Sequence, residues 1–175
     1  MKLKINSSNG GKVAELRKFL GDLHVSNADL REPDADALTV AIVKASSVDP
    51  YVLIDDASLD VEGFDLGVNV KWRMHLLKEL AGKPALFRVT LAYREGDQVK
   101  VFMGEVRGHI APPGAPAGFG FDAHFLPEGG EAPLSVDKPD HLNPRALACR
   151  ALLENKPFGT FPRTEWSGPW QNETL

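Results

Sequence analysis

Tyr51-Val52-Leu53-Ile54-Asp55-Asp56 is an unbroken apolar run that ends abruptly in two acids. Its length and continuity match a strand buried on both faces, the kind found where helices cover a sheet. Asp55 and Asp56 are therefore expected at that strand's C-terminal end. Upstream, Leu3-Lys4-Ile5 is a second strand, followed by the polar turn Asn6-Ser7-Ser8-Asn9-Gly10-Gly11. Val13, Leu16, Phe19, Leu20 and Leu23 then recur at helical spacing, giving strand, loop and helix in succession. Residues 24–36 are polar and acidic, and a second helix within Ala37 to Val48, apolar at Leu38, Ile42 and Val43, carries Lys44.

Downstream, Gly63 to Asn69 reads as a loop, and Trp72, Leu76, Leu77 and Leu80 outline a helix that Gly82 and Pro84 stop. Phe87, Val89, Leu91 and Tyr93 alternate with Arg88, Thr90, Ala92 and Arg94, the pattern of a half-buried strand. Glu95-Gly96-Asp97 turns the chain into a returning strand with Val99, Val101 and Met103. Ala111 to Gly120 holds three prolines and three glycines and predicts an irregular loop that delivers Phe119-Gly120-Phe121-Asp122. Asn143 and Pro144 start a last helix as cap and first position. From Lys156 a tail with Phe158, Phe161, Trp166 and Trp170 is expected to dock on the body, since aromatic rings gain little free in water. The order predicts an α/β fold, a mixed sheet flanked by helices.

With 175 residues, 43% of them hydrophobic, the chain has room for one domain with its own core. Twenty Lys and Arg against 24 Asp and Glu leave a net charge of −4, which argues against a nucleic-acid partner held by broad phosphate neutralisation. The single cysteine, Cys149, excludes an internal disulfide framework and a multi-thiolate zinc site, and its apolar helical neighbours place it in the core. His24, His75, His109, His124 and His141 show no metal-ligand spacing. Met1-Lys2-Leu3-Lys4 opens no apolar signal core, so the cytoplasm is the expected compartment. A membrane partner is not expected, because no apolar run reaches the ~18 residues that a spanning helix needs.

Four constellations carry candidate chemistry. Ser7-Ser8-Asn9-Gly10-Gly11-Lys12 stands between strand and helix, where free backbone N–H groups, hydroxyls and a lysine suit a phosphate chain; the same residues also suit a capped turn. Glu32, Asp55 and Asp56 are hard oxygen donors that suit Mg²⁺, and a free carboxylate beside the ion can take a proton from water; a solvated turn would look alike. Phe119-Gly120-Phe121-Asp122 offers aromatic faces for a base with an acceptor close by, or simple packing. Lys44, Lys71, Lys138 and Arg145 are cations near predicted element ends.

Taken in order, these motifs resemble the inosine triphosphate pyrophosphatase family, which removes aberrant purine nucleoside triphosphates such as ITP, dITP and XTP. The resemblance spans about residues 3 to 153 and rests on five motifs in sequence. A Thr/Ser-x-Asn-x-x-Lys loop is matched by Ser7 to Lys12. A metal-binding Glu twelve positions before a Lys is matched by Glu32 and Lys44, and the strand-ending acidic pair by Asp55-Asp56. A basic residue before Trp is matched by Lys71-Trp72, and a Phe-Gly-Trp/Tyr-Asp loop by Phe119 to Asp122.

The resemblance implies a long, strongly twisted mixed sheet with two lobes around a central cleft, and a homodimer. It implies hydrolysis of a nucleoside triphosphate to the monophosphate and pyrophosphate. Glu32, Asp55 and Asp56 would hold Mg²⁺, with Asp56 activating water. Lys12, Lys44 and Lys71 with the loop amides of residues 8–11 would stabilise phosphate charge, and Phe119 and Phe121 would flank a base bordered by Asp122, Lys138 and Arg145. The chain departs from the family at its Ser-His-Arg signature, where Asn143 and Pro144 replace Ser and His while Arg145 remains, and at Ala57-Ser58 after the acidic pair. These departures bear on base selectivity, so a different modified nucleotide, or nucleotide binding without turnover, are the rival readings. Residues 1–155 form the expected pyrophosphatase-like domain, and the aromatic tail, 156–175, is an extension with no counterpart among the family's motifs.

Overall fold

The computed structural model describes residues 2–173; Met1, Thr174 and Leu175, the outermost residues of the expected domain and tail, lie outside the described residues. Eight strands form one mixed sheet: β1 (Lys4–Asn6), β2 (His24–Ser26), β3 (Val52–Val61), β4 (Phe64–Gly67), β5 (Pro84–Glu95), β6 (Gln98–Ile110), β7 (Phe125–Pro127) and β8 (Gly159–Pro162). The order is β2-β1-β3-β5-β6-β7, with β4 beside β3 and β8 beside β6. β1 is parallel to β2 and β3, and the remaining pairs are antiparallel. Three helices, α1 (Gly10–Leu20), α2 (Ala37–Ser46) and α3 (Pro144–Leu153), complete the α/β architecture.

The sheet separates two apolar layers. Leu16 of α1 and Ala148 and Cys149 of α3 pack with Ile5, Leu53, Leu91 and Phe102. Ala41, Ile42 and Ala45 of α2 pack with Ile54, Ala92 and Val101. Leu53 and Ile54 thus face opposite layers, as consecutive strand residues must. This explains the unbroken apolar run, and Cys149 is in the core as expected.

Several elements differ from the sequence reading. β3 does not stop at the acids: it continues to Val61, because Ser58, Leu59 and Val61 remain paired to β5 after the helix-covered half ends. Asp55 and Asp56 therefore lie mid-strand, just beyond where β1 ceases to pair with β3. Gly63 to Asn69 is not wholly loop, since Phe64–Gly67 returns along β3 after a turn at Gly63, whose φ of 81° suits glycine. The helix expected around residues 72–80 consists of two 3-10 segments, Val70–Trp72 and Met74–Leu80. His24–Ser26, inside the polar stretch, is an edge strand recruited by β1. The tail docks as expected: β8 pairs with β6, Phe161 packs against the α2 layer, and Phe158 stays exposed.

Gly104 sets the approach of α3 to β6. A Cβ there would overlap the Pro144 carbonyl oxygen and crowd the Ala148 amide. Gly104→Ala is expected to destabilise the fold by about 1–3 kcal/mol or more, read as a lower urea midpoint at unchanged m-value.

Candidate active site

The cleft opens where α1, α2 and the mid-strand acids meet. Asn9 caps α1, its Oδ1 accepting from the Gly11 and Lys12 amides at 3.0 and 3.2 Å, while Ser7 Oγ accepts from the Asn9 amide. Of the four amides expected to cradle phosphate, residues 8–11, those of Asn9 and Gly11 are used in this turn. Those of Ser8 and Gly10 have no protein partner among the described residues. Lys12 reaches β3, with its Nζ 3.2 Å from the Asp55 carbonyl oxygen and 3.4 Å from Asp55 Oδ1.

Asp55 and Asp56 serve opposite faces of β3, because side chains alternate along a strand. On the α3 side Arg145 grips Asp55 through two bonds, Nε to Oδ2 at 2.7 Å and Nη2 to Oδ1 at 3.0 Å. Both side chains are buried, and Arg145 Nη1 also donates to Glu15 Oε1. Burial alone would raise the Asp55 pKa, but the charges of Arg145 and Lys12 outweigh it and hold the carboxyl at about 2, below its ordinary 3.8. The same burial disfavours charge on Arg145, and Asp55 and Glu15 reverse this, keeping the guanidinium protonated.

On the α2 side Lys44 Nζ bridges Asp56 Oδ1 at 2.8 Å and Glu32 Oε1 at 2.9 Å. Lys71 pairs with Glu32 Oε2. Burial raises the Glu32 pKa, yet Lys44 and the Lys71 hydrogen bond override it and hold the carboxyl at about 2, against an ordinary 4.5. Burial works against charge on Lys44 too, and Asp56 and Glu32 push its pKa above the usual lysine value. Asp56 Oδ2 is buried with no hydrogen-bond partner among the described residues. An orphaned carboxylate oxygen in a cleft is a position that a ligand can satisfy.

A third corner holds the aromatic loop. Phe119 lies so close to Gly11 that a Cβ on Gly11 would overlap its ring. Lys138 Nζ stands 4.4 Å from the Phe119 ring centroid and bonds Asp122 Oδ2 and Glu15 Oε2, both at 2.8 Å. Burial is the leading cause that raises the Asp122 pKa, with Lys138 opposing it. Phe121 is buried against Phe87, ring centroids 4.5 Å apart, so its ring belongs largely to the core.

The structure brings Asn9, Lys12, Glu32, Asp56, Lys71 and Phe119 to one cleft, together with Gly120, Phe121, Asp122 and Arg145. Ser7, Ser8 and Lys44 line its adjoining hollow. No three acidic, histidine or cysteine side chains group to hold a metal among the described residues, and Glu32, Asp55 and Asp56 are placed with different partners. Asp55 faces Arg145, whereas Glu32 and Asp56 share Lys44. Two residues escape sequence reasoning. Glu15, bonded to Arg145 and Lys138 behind the cleft, could have been found only as the helical neighbour of Lys12 three positions on. Gln171, in the tail, carries no motif.

An open α/β sheet with a cation-lined cleft at the parallel edge of its central strand defines the class. The chain belongs to the Ham1 family, which residues 3–155 match. A dITP/XTP pyrophosphatase of Pyrobaculum aerophilum is 31% identical, the match covering 87% of this chain and 94% of that protein. A dITP/XTP pyrophosphatase of Thermococcus kodakarensis is 31% identical over 86% of this chain and 94% of its own. One of Bdellovibrio bacteriovorus is 29% identical, with 88% and 96% covered. No helix among the described residues is long and apolar enough to cross a membrane.

Arg145→Ala would leave Asp55 buried with Lys12 as its one remaining countercharge, 3.4 Å from Oδ1, and Oδ2 unpaired, at an expected cost of about 3 kcal/mol in urea unfolding at neutral pH. The Asp55 pKa is depressed in the folded chain, so its contribution is present above pH 4 and is lost as pH falls through about 2. That loss amounts to about 2 kcal/mol, and the urea midpoint of the wild-type chain should drop over this window.

Proposed function

We propose that this chain hydrolyses non-standard purine nucleoside triphosphates of the ITP, dITP and XTP type to the monophosphate and pyrophosphate, with Mg²⁺, as a homodimer that cleanses the cytoplasmic nucleotide pool. The observation that carries the reading is the unpartnered Asp56 Oδ2, buried beside Lys44 in a cleft that Lys12 and Lys71 also line. The names of the relatives support the same chemistry.

Glu32 and Asp56 meet at Lys44 as hard oxygen donors, which fits Mg²⁺, whereas Asp55 has both carboxylate oxygens committed to Arg145. Glu32, on giving up its contact with the half-exposed Lys71, would hold the ion together with the substrate's own phosphate oxygens. Bound there, Mg²⁺ neutralises phosphate charge and polarises the phosphoryl oxygens. Asp56 Oδ2 accepts a proton from water as the water oxygen bonds to the α-phosphorus and the bond to the bridging oxygen of the β-phosphate breaks. Lys12, Lys44 and Lys71 stabilise the negative charge that grows on the pyrophosphate leaving group. The Ser8 and Gly10 amides add neutral donors at the α1 N-terminus. Asp55, through its contacts with Lys12, keeps that ammonium aimed into the cleft. Phe119 offers its face to the base, and Asp122 and Lys138 border it.

A different modified nucleotide has specific support, because Pro144 replaces the family's histidine and Arg145 is spent on Asp55 and Glu15. Pure binding is disfavoured, since a binder gains nothing from an unsatisfied buried carboxylate oxygen. A panel of ITP, dITP, XTP, ATP and GTP, scored for pyrophosphate release, is expected to show turnover of the first three, abolished by EDTA and restored by Mg²⁺. Equal turnover of ATP and ITP would overturn the selectivity. Asp56→Asn is expected to lower kcat by about 100-fold or more while binding of the nucleotide persists. Undiminished turnover would remove Asp56 from its role.

A further inference from the structure

The chain beyond residue 155 lies past the stretch that matches the family, yet Gln171 in it pairs with the backbone of Glu32, an acid of the cleft. After β8, Arg163 Nε donates to the Ser46 carbonyl at 3.0 Å and the Thr164 amide donates to Ser46 Oγ at 2.9 Å, anchoring the tail at the C-terminal end of α2. The tail then runs antiparallel to residues 32–34. The Asp34 amide donates to the Pro169 carbonyl at 2.9 Å, and the Gln171 amide donates to the Glu32 carbonyl at 2.8 Å. Arg31 stacks its guanidinium 4.3 Å from the Trp170 ring centroid.

Gln171 closes the connection. Its side chain is 9% exposed; Nε2 donates to the Pro33 carbonyl at 3.0 Å, and Oε1 accepts from Trp72 Nε1 at 3.2 Å. One amide thus joins the Glu32 segment to the Lys71-Trp72 turn, and Lys71 is itself paired with Glu32. Gln171 also lines the cleft beside Asn9, Glu32, Asp56 and Lys71. Residues 27–32 have no regular secondary structure of their own, so nothing in their local backbone holds Glu32 opposite Asp56.

We propose that the C-terminal segment is a clasp of the active-site cleft and that Gln171 is a positioning residue, which holds Glu32 and Lys71 in place for the phosphate end of the nucleotide. The inference rests on the pyrophosphohydrolase reading above. Its physical basis is that charged groups contribute to phosphate binding only when held in place, and that losing a supporting hydrogen bond displaces them.

The test uses the full chain, Gln171→Ala, and a second variant lacking residues 168–175, which keeps β8 and the Ser46 anchors. Steady-state hydrolysis of dITP gives KM and kcat, and calorimetry with inorganic pyrophosphate and Mg²⁺ gives a Kd that needs no turnover. Both variants are expected to raise KM and the pyrophosphate Kd by about tenfold and to lower kcat as well, because Lys71 also stabilises the leaving group, with a thermal midpoint close to that of wild type. Placed on Glu32→Gln, Gln171→Ala is expected to add less than about twofold, because the group it positions is already altered. Unchanged KM and Kd in Gln171→Ala, or a full additional loss on the Glu32→Gln background, overturns the clasp and leaves the hydrolase reading standing. A wild-type chain that binds pyrophosphate but hydrolyses none of the triphosphates overturns that reading, and the clasp is then judged on Kd alone. Absence of both activities removes the two together.

Discussion

The period of two along a β-strand is the constraint on which the site is built. Two adjacent carboxylates in β3 cannot share a face, so the fold supplies each with its own countercharge: Arg145 from α3 for Asp55, Lys44 from α2 for Asp56. The helices stand on opposite sides of the sheet, and each brings one cation down to the central strand. An Asp-Asp pair that reads in one dimension as a single acidic site is in three dimensions two half-sites separated by a backbone. The half on the α3 side is saturated, every carboxylate oxygen being held by Arg145 or Lys12. The half on the α2 side keeps one oxygen in reserve.

That asymmetry divides labour between stability and chemistry. Removing Asp55 and Arg145 from water costs several kcal/mol per ion, and the doubled hydrogen bonds together with Glu15 and Lys12 offset it. Such a pair gives little net stability over an apolar isostere, but it fixes where α1, β3 and α3 stand relative to one another. Glu15 extends the arrangement, because it joins Arg145 to Lys138 and so to Asp122 and the aromatic loop. The base-facing corner and the phosphate-facing loop are thereby tied to one charged lattice, and displacement of any one member is felt by the others.

Much of this was legible in the chain. The apolar run before Asp55 identified a strand covered on both faces, the alternation from Phe87 predicted the hairpin, and Asn143-Pro144 marked the α3 start because caps carry local hydrogen-bond chemistry. What escaped the reading depends on distant partners. β3 outruns its apolar stretch because β5 continues to pair with it, and His24–Ser26 is a strand only because β1 offers an edge. The 3-10 form of Val70–Trp72 and Met74–Leu80 escaped the reading because the spacing of Leu76, Leu77 and Leu80 cannot distinguish it from α-helix over so few residues. At the site, the family resemblance carried Glu32 with Lys44, and the residues themselves carried the loop from Ser7 to Lys12, both local relations. It could not show that Arg145 turns inward, nor that a glutamine about 140 residues away completes the Glu32 segment.

The inward turn of Arg145 has a consequence for how a base could be distinguished. A guanidinium bonded twice to Asp55 and once to Glu15, at 2% exposure, has little donor capacity left for a heterocycle. Pro144 beside it has neither a side-chain donor nor a backbone N–H. Under the proposed reading, polar discrimination of the base therefore falls to Asp122 and Lys138, one acceptor and one donor already bonded to each other at 2.8 Å beside the Phe119 ring. A base edge offering a complementary donor and acceptor can exchange with that bond at small net cost. An edge that offers two like groups must leave one buried partner unsatisfied, a penalty of about 1–3 kcal/mol. Selectivity in this chain would then rest on one ion pair and its protonation, with burial around Asp122 opposing its charge.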